Sequence, residues 1–399
     1  MKLFILLNFL YFSSAFSVSV LEVDGETNPI PAGIETSDDP AIFYNSKNPE
    51  KSLILGVSKN KIKYGGKAGL GVYNLEGKEL NYIVHDRLNN VDLRQNVLLN
   101  NKYYNLAIGS NRDKKAISLF SIISYPPYIE LIDDLKLNVK GKKLREEPYG
   151  ICSYHNEGEF HAFLPMKNGK IYQFLIINND NKFSAEFVDV IDFRKHVSRK
   201  VDELIIDTTV KDVVYETRLD KNELIEELND ALKDRFQLEG CVADDENKKL
   251  YFGVEQLGVV SYDITKKKMK LLFQVKKSKS SPDATVFLNG EPRYTNDIEG
   301  LSLIDINNEK HILVSVQGIS EYAVLEANSG TYKGSFKLKM KNDEITETDG
   351  LDILQMPLGS SMPHGLLVVH DHHNLDQDGN IENGNYKFIS LEKVLNLFK

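Results

Sequence analysis

The sequence predicts an all-β protein, a six-bladed β-propeller carrying one inserted amphipathic helix. Three observations lead there. Short β-branched and aromatic runs bounded by Gly, Asn and Asp recur along the 399 residues, six segments share one kind of opening, and the openings recur at a blade-like period. Helical periodicity is scarce by comparison. With 41% hydrophobic and 27% charged residues, the chain can bury a sizeable core.

The runs are GLGVYNL, YYNLAIGS, FHAFLPM, KLYFGVE, HILVSVQG and GLLVVHD. The openings are Asp39-Pro-Ala-Ile, Asn90-Val-Asp-Leu, Tyr149-Gly-Ile-Cys, Glu239-Gly-Cys-Val, Glu299-Gly-Leu-Ser and Asp349-Gly-Leu-Asp, their first residues separated by 51, 59, 90, 60 and 50 positions. A period of roughly 40 to 65 residues holding several strands is that of propeller blades, because one four-stranded sheet cannot bury both faces alone. If each opening begins the innermost strand of a blade, Asp39, Tyr149, Glu239, Glu299 and Asp349 converge on one rim of a central channel. Six ordinary turns before strands are the alternative. The 90-residue interval is explained by an insertion between about Phe193 and Phe236. Within it, KNELIEELNDALKDRF sets Leu224, Leu228 and Leu232 at helical spacing, a helix expected to lie on the propeller.

The first 17 residues carry Lys2, an apolar run from Leu3 to Phe12, and Ala15 and Ser17 spaced like a cleavage site. They read as a secretory signal, leaving residues 18–399 as one propeller domain in an extracytoplasmic or secreted protein. The run is too short to span a bilayer, and no other stretch approaches about 20 apolar residues, so no membrane partner is expected. A formal charge of -9 argues against unaided binding of nucleic acid or anionic membrane. An anionic substrate would need a cation. Cys152 and Cys241 could close one disulfide or remain two buried thiols.

Signatures of covalent phosphatases and hydrolases are missing: neither cysteine is followed six positions later by Arg, and there is no Arg-His-Gly and no Gly-x-Ser-x-Gly. Acids stand at strand openings instead: Asp38, Asp39, Glu239, Asp297, Glu299, Asp343, Asp349, Asp371 with Asn374, and Glu255. Carboxylates crowded into one channel repel, so either their pKa values rise or a cation neutralises them. An oxygen-only set favours Ca²⁺, although any one of these acids alone reads as a solvated loop residue. The run from Asn374 to Asn380 imitates the start of an EF-hand loop, but Asn385 occupies the position of the bidentate Glu, so an Asp/Gly turn is expected. His364, His370, His372 and His373 invite a zinc reading, but adjacent strand residues point to opposite faces and no Cys or Glu stands at ligand spacing. Lys67, Arg112 and Lys167 fall near the same rim and could hold phosphate oxygens.

Taken in order, Ser-Asp38-Asp39-Pro-Ala-Ile, Leu-Asn89-Asn90-Val-Asp92-Leu-Arg94, Ser-Asn-Arg112, Tyr149-Gly-Ile, Glu239-Gly-Cys-Val-Ala-Asp244-Asp245-Glu246, Asp297-Ile-Glu299-Gly-Leu, Val-Gln317-Gly and Thr-Asp349-Gly-Leu-Asp closely resemble the β-propeller phytases. The match runs from about Glu26 to Lys387. The resemblance implies a six-bladed propeller that hydrolyses phosphomonoesters of myo-inositol hexakisphosphate with several Ca²⁺ ions. Phytate is densely anionic and the protein is acidic, so the substrate is expected to carry part of the calcium, and a monomer is expected. By similarity, Glu26, Asp39, Asn89, Asp343, Asp371 and Asn374 fall at structural ion positions. Asp38, Glu239, Glu255, Asp297 and Glu299 match the residues that hold catalytic ions, with Gln317 and Asp349 lining the same channel as metal ligands. Lys67, Arg112, Tyr149 and Lys167 match phosphate-contacting positions. The chain departs from the family pattern at Gly66-Lys67, where Lys-Lys is common, at Asn168 in place of Glu, at Val254 in place of an acid, and at Phe43 in place of Trp. Two other readings are a phosphatase for a different phosphorylated metabolite and a non-catalytic, calcium-stabilised binding propeller.

Overall fold

The computed structural model describes residues 18–33, 36–59, 67–216, 221–274, 297–376 and 378–399. Residues 1–17, expected from the sequence to be a secretory signal, lie outside them, as does Gly66. Six sheets are arranged as the blades of a β-propeller, five of them antiparallel and four-stranded and the fifth blade an antiparallel four-stranded unit with two added edge strands. Their innermost strands are Ser37–Phe43, Leu88–Leu99, Cys152–Asn156, Leu238–Asp244, Ile298–Ile306 and Leu351–Leu354, and each neighbours the next in a closed ring. All six openings read from the sequence therefore lie at or just before the start of an innermost strand. The six apolar runs are strands as expected, five of them second in their blade and GLGVYNL third.

Burial explains why blades must repeat. The core divides into six apolar clusters, one between each pair of neighbouring blades: Phe43, Leu55 and Phe120 lie between the first and second, and Ile54, Tyr73 and Tyr386 between the sixth and first. Each sheet hides its two faces only against its neighbours. Phe43 is buried in this layer.

The ring is closed by the N-terminus. Gly25–Glu26 forms the outermost strand of the sixth blade, pairing antiparallel with Asn385–Ser390, and Ser19–Glu22 adds a parallel strand to the outer edge of the fifth. The sequence reading did not anticipate this closure.

The insertion holds two helices where one was expected: α1 (Arg199–Glu216) and α2 (Lys221–Asp234), packed on each other. Leu224, Leu228 and Leu232 of α2 are half-buried. The sequence of α1 is rich in Ile, Thr and Val, which lose side-chain freedom in a helix and so mask its periodicity. No helix among the described residues is long and apolar enough to cross a membrane.

Candidate active site

The innermost strands enter the ring through a repeated irregularity. In the first, second, fourth and fifth blades, two residues of the innermost strand oppose one of its partner, within Ser37–Pro40, Leu88–Val91, Leu238–Cys241 and Ile298–Leu301. Such a bulge breaks the alternation of side chains and re-aims them, and the affected residues include Asp38, Asn89, Glu239 and Glu299. In the third blade the N–H groups of Tyr149 and Gly150 both donate to the Pro165 carbonyl, at 3.3 and 3.1 Å.

The glycine that follows the leading residue in four openings has a steric cause. A Cβ on Gly150 would lie 1.9 Å from the Glu239 carbonyl oxygen, on Gly240 1.9 Å from that of Glu299, on Gly300 2.7 Å from that of Asp349, and on Gly350 2.1 Å from Asp39 Oδ1. Each blade thus presses its glycine against the acidic residue of the next. A side chain there would push the strands apart and widen the mouth.

Three carboxylates meet in that narrow mouth. Glu239, Glu255 and Glu299 are all buried and offer one oxygen each within 4.8 Å of one another. Glu255 follows the strand Lys249–Val254, and its backbone bonds Gln237 on one side and Ile298 on the other. Burial, then the neighbouring carboxylates, Glu239 foremost for Glu255 and Glu255 foremost for Glu299, push the pKa values of Glu255 and Glu299 well above the ordinary range. Asp38 is raised as well by burial, in spite of Lys59 at 2.9 Å. Asp38 Oδ1, Glu255 Oε1 and Glu299 Oε2 are buried without a hydrogen-bond partner. Orphaned, crowded oxygens of this kind fit a bound cation.

Asp297, Gln317, Asp349, Asn89, Arg112, Tyr149 and Lys167 gather around the same mouth. Asp297 takes a left-handed backbone at φ 59° and accepts from Gln256 at 3.2 Å. Gln317 donates to Asp349 Oδ1, and Asn89 donates to Glu239 Oε1. Arg112 donates to Asn89 Oδ1 at 2.8 Å and sits 5.3 Å from the ring of Tyr149, whose other cation is Lys167 at 4.4 Å. Burial, followed by Glu239, Glu255 and Glu299, holds the Tyr149 hydroxyl well above its ordinary pKa. Lys67 is exposed, at the start of the strand Gly69–Tyr73.

Sequence reasoning missed three contributors. Lys59 pairs with Asp38 at 2.9 Å and Asp349 at 2.6 Å. Burial works against the charge on Lys59, but Asp349 and Asp38 outweigh it and raise its pKa. For Asp349, burial is likewise overcome, chiefly by Lys59, and its pKa falls below the ordinary value. Gln237 donates to the Tyr149 hydroxyl at 3.1 Å and to Glu255, and Glu147 accepts from Arg112 at 3.3 Å. Lys59 opens a lysine-rich stretch, the one signal that could have found it.

A second group forms where the ring closes. Lys387, 1% exposed, reaches Glu26, Asn374 Oδ1 at 2.6 Å and Asp371 Oδ2 at 3.2 Å. Asp371 is pushed up to about 6 by burial, which outweighs Lys387, and the partly buried Asp343 adds to that rise. Four of the six expected structural ion residues, Glu26, Asp343, Asp371 and Asn374, are thus neighbours. The other two lie elsewhere: Asn89 at the mouth, and Asp39 in the channel, where its Oδ2 accepts from Val91 N at 3.1 Å. Within the Asn374–Asn380 run, of which residue 377 lies outside the described residues, Asp376 accepts from the backbone of Asp378 and Asn380, both at 2.8 Å.

A family model described as Phytase matches residues 6–211 and 227–399. The chain belongs to the phytase family. It is a hydrolase of that family, built as a six-bladed propeller. The unmatched residues 212–226 span the end of α1 and the start of α2, so the interruption falls within the helical insertion. A 3-phytase of Bacillus subtilis (strain 168) is 29% identical over 381 residues, covering 92% of this chain and 83% of that protein. Cys152 and Cys241, left open by the sequence, form a disulfide between the innermost strands of the third and fourth blades.

Proposed function

We propose that the chain is a secreted, Ca²⁺-dependent phytase that removes phosphate from myo-inositol hexakisphosphate. The observation that carries this reading is the juxtaposition of the buried Glu239, Glu255 and Glu299 cluster with Tyr149 and its two flanking cations, Lys167 and Arg112. An all-oxygen donor set suits Ca²⁺. Asp38, Asp297, Gln317 and Asp349 complete that set, and Glu26, Asp343, Asp371 and Asn374 offer oxygens to a structural ion at the ring closure, with Asp39 and Asn89 as further oxygen ligands. When bound, Ca²⁺ supplies an acidified water as nucleophile and neutralises phosphate charge.

The chain's own residues account for the rest. Lys167 and Arg112 hold phosphate oxygens by charge-assisted hydrogen bonds, Arg112 pre-set by Asn89 and Glu147. Tyr149 keeps its proton and can donate it to a phosphate oxygen while its ring orients both cations. Lys59 balances Asp38 and Asp349, and Lys67 extends the cationic side toward solvent. The removable leader and the disulfide both suit an extracytoplasmic protein, residues 18–399 acting as one propeller unit and as a monomer.

Phosphate release from phytate by the mature protein, titrated with Ca²⁺ and compared with simple phosphate esters, tests the proposal. Release that needs Ca²⁺, prefers phytate and is lost in Glu239→Ala and Lys167→Ala is expected. A flat response across the titration overturns it.

A further inference from the structure

We propose that Glu347, His372 and His373 form a site for a transition-metal ion of the zinc class, separate from the all-oxygen mouth of the channel. The three side chains offer one donor atom each within 4.8 Å of one another. Glu347 Oε2 stands 3.7 Å from His372 Nε2 and 3.9 Å from His373 Nδ1, and the two rings lie 4.8 Å apart at 76°. Ligands about 2.0–2.1 Å from a tetrahedral ion are themselves about 3.4 Å apart, so the two pairs made by Glu347 are within a few tenths of an ångström of ligand spacing. Two imidazoles and one carboxylate form a donor set that Zn²⁺ accepts and that Ca²⁺, which takes oxygen alone, does not favour.

The fold removes the objection raised by strand alternation. The strand Leu366–Asp371 ends one residue before His372, and the chain bends through His372 and His373, so the rings are not sent to opposite faces. Glu347 comes from the segment preceding the innermost strand of the sixth blade. The His372 N–H donates to the Thr346 carbonyl at 3.3 Å and ties the two segments together.

Competing uses of these side chains are few. No hydrogen bond among the described residues engages His372 Nε2, the nitrogen that faces Glu347, and His373 Nδ1 has one long contact, with Thr346 Oγ1 at 3.4 Å, that an ion would have to displace. His370, by contrast, is fully committed, with Nδ1 accepting from Asp349 N at 3.1 Å and Nε2 meeting Ser37 Oγ at 2.9 Å. Side-chain exposures of 17%, 40% and 51% for His372, His373 and Glu347 leave a path for an ion and a fourth position open to water. A bound ion would pin the Glu347-Thr348-Asp349 segment to the bend before Asn374.

The test is metal uptake, with Co²⁺ as spectroscopic probe and Zn²⁺ by calorimetry, on the mature chain in excess Ca²⁺ so that oxygen sites are filled. One equivalent of Co²⁺ with the visible absorption of a four- or five-coordinate nitrogen-ligated ion, displaced by one equivalent of Zn²⁺, is expected. His372→Ala and His373→Ala should each remove the absorption and weaken binding at least tenfold, with Glu347→Gln weakening it about tenfold. Wild-type protein that takes up no stoichiometric Co²⁺ or Zn²⁺ overturns the proposal without reference to the variants. Folded His372→Ala/His373→Ala protein that binds as wild type does so equally.

Discussion

Replacing both Cys152 and Cys241 with serine removes a covalent link across a sequence separation of 89 residues, a span that holds most of the third blade and both inserted helices. In the chain-entropy description, closing a loop of that length restricts the unfolded chain by about 4.6 kcal/mol at 25 °C, and measured losses for native disulfides run about 2–5 kcal/mol. At roughly 2.1 cal/mol/K per residue, about 380 residues unfold with an entropy near 0.8 kcal/mol/K, so the expected fall in Tm is about 3–6 °C. The bond joins inner strands two and three residues past Glu239 and Tyr149. The contact of Gly150 with the Glu239 backbone holds the same blades together independently, so phosphate release at 25 °C should stay within about twofold of wild type. Differential scanning calorimetry of wild type, both single variants and the double variant is the assay, with thiol titration of denatured, unreduced wild type beside it. The single variants should match the double, and wild type should show no free thiol. Two reactive thiols, or an unchanged Tm in the double variant, refutes the reasoning.

Gly240→Ala places a methyl 1.9 Å from the Glu299 carbonyl oxygen and should cost about 1–3 kcal/mol and lower phosphate release, while Gly109→Ala, with 3.4 Å to its nearest neighbour, should be tolerated; urea melts and activity of the two check this contrast. Lys387→Met leaves Glu26 and Asp371 without their buried cation and should destabilise by about 3–5 kcal/mol in chelator, a value that a denaturation midpoint reads directly. Lys59→Met should cost roughly 2–4 kcal/mol by the same logic, and because Asp38 and Asp349 are then free to hold a cation, Ca²⁺ should restore more stability than it adds to wild type; equal restoration counts against the pairing. Glu255, Glu299 and Asp38 have raised pKa values, so ionising them as pH rises above about 4.5 costs stability in the metal-free protein, and a cation must displace the protons they retain. Ca²⁺ binding should therefore release protons and strengthen from pH 5 to 8, seen by calorimetry in buffers of different ionisation enthalpy; no net proton release would contradict the cluster's assignment.

The ring was legible in the sequence because its geometry imposes a local rule on four of the six blades. There inner strands crowd and a glycine must follow the leading residue, and Gly150, Gly240, Gly300 and Gly350 write that rule into the openings. The residues missed obey no such rule. Lys59 reaches Asp349 across 290 positions, and Glu347 meets His372 and His373 from a different segment, pairings that depend on the closed ring rather than on spacing. The helix α1 was hidden by its β-branched composition, and the closing strands Ser19–Glu22 and Gly25–Glu26 are too short to show a period. The disulfide was undecidable for a related reason: two cysteines in neighbouring openings become partners only once the blades are set side by side.

Using an N-terminal strand to finish the last blade also orders events in the life of the chain. Gly25–Glu26 has no partner until Asn385–Ser390 has been synthesised, so the earliest residues made are among the last to settle. A polypeptide that cannot seal its circle before its carboxyl end emerges stays open until then. It also means that removing the chain through Glu26 would strip the sixth sheet of its outer edge, so the amino end is held in place by architecture.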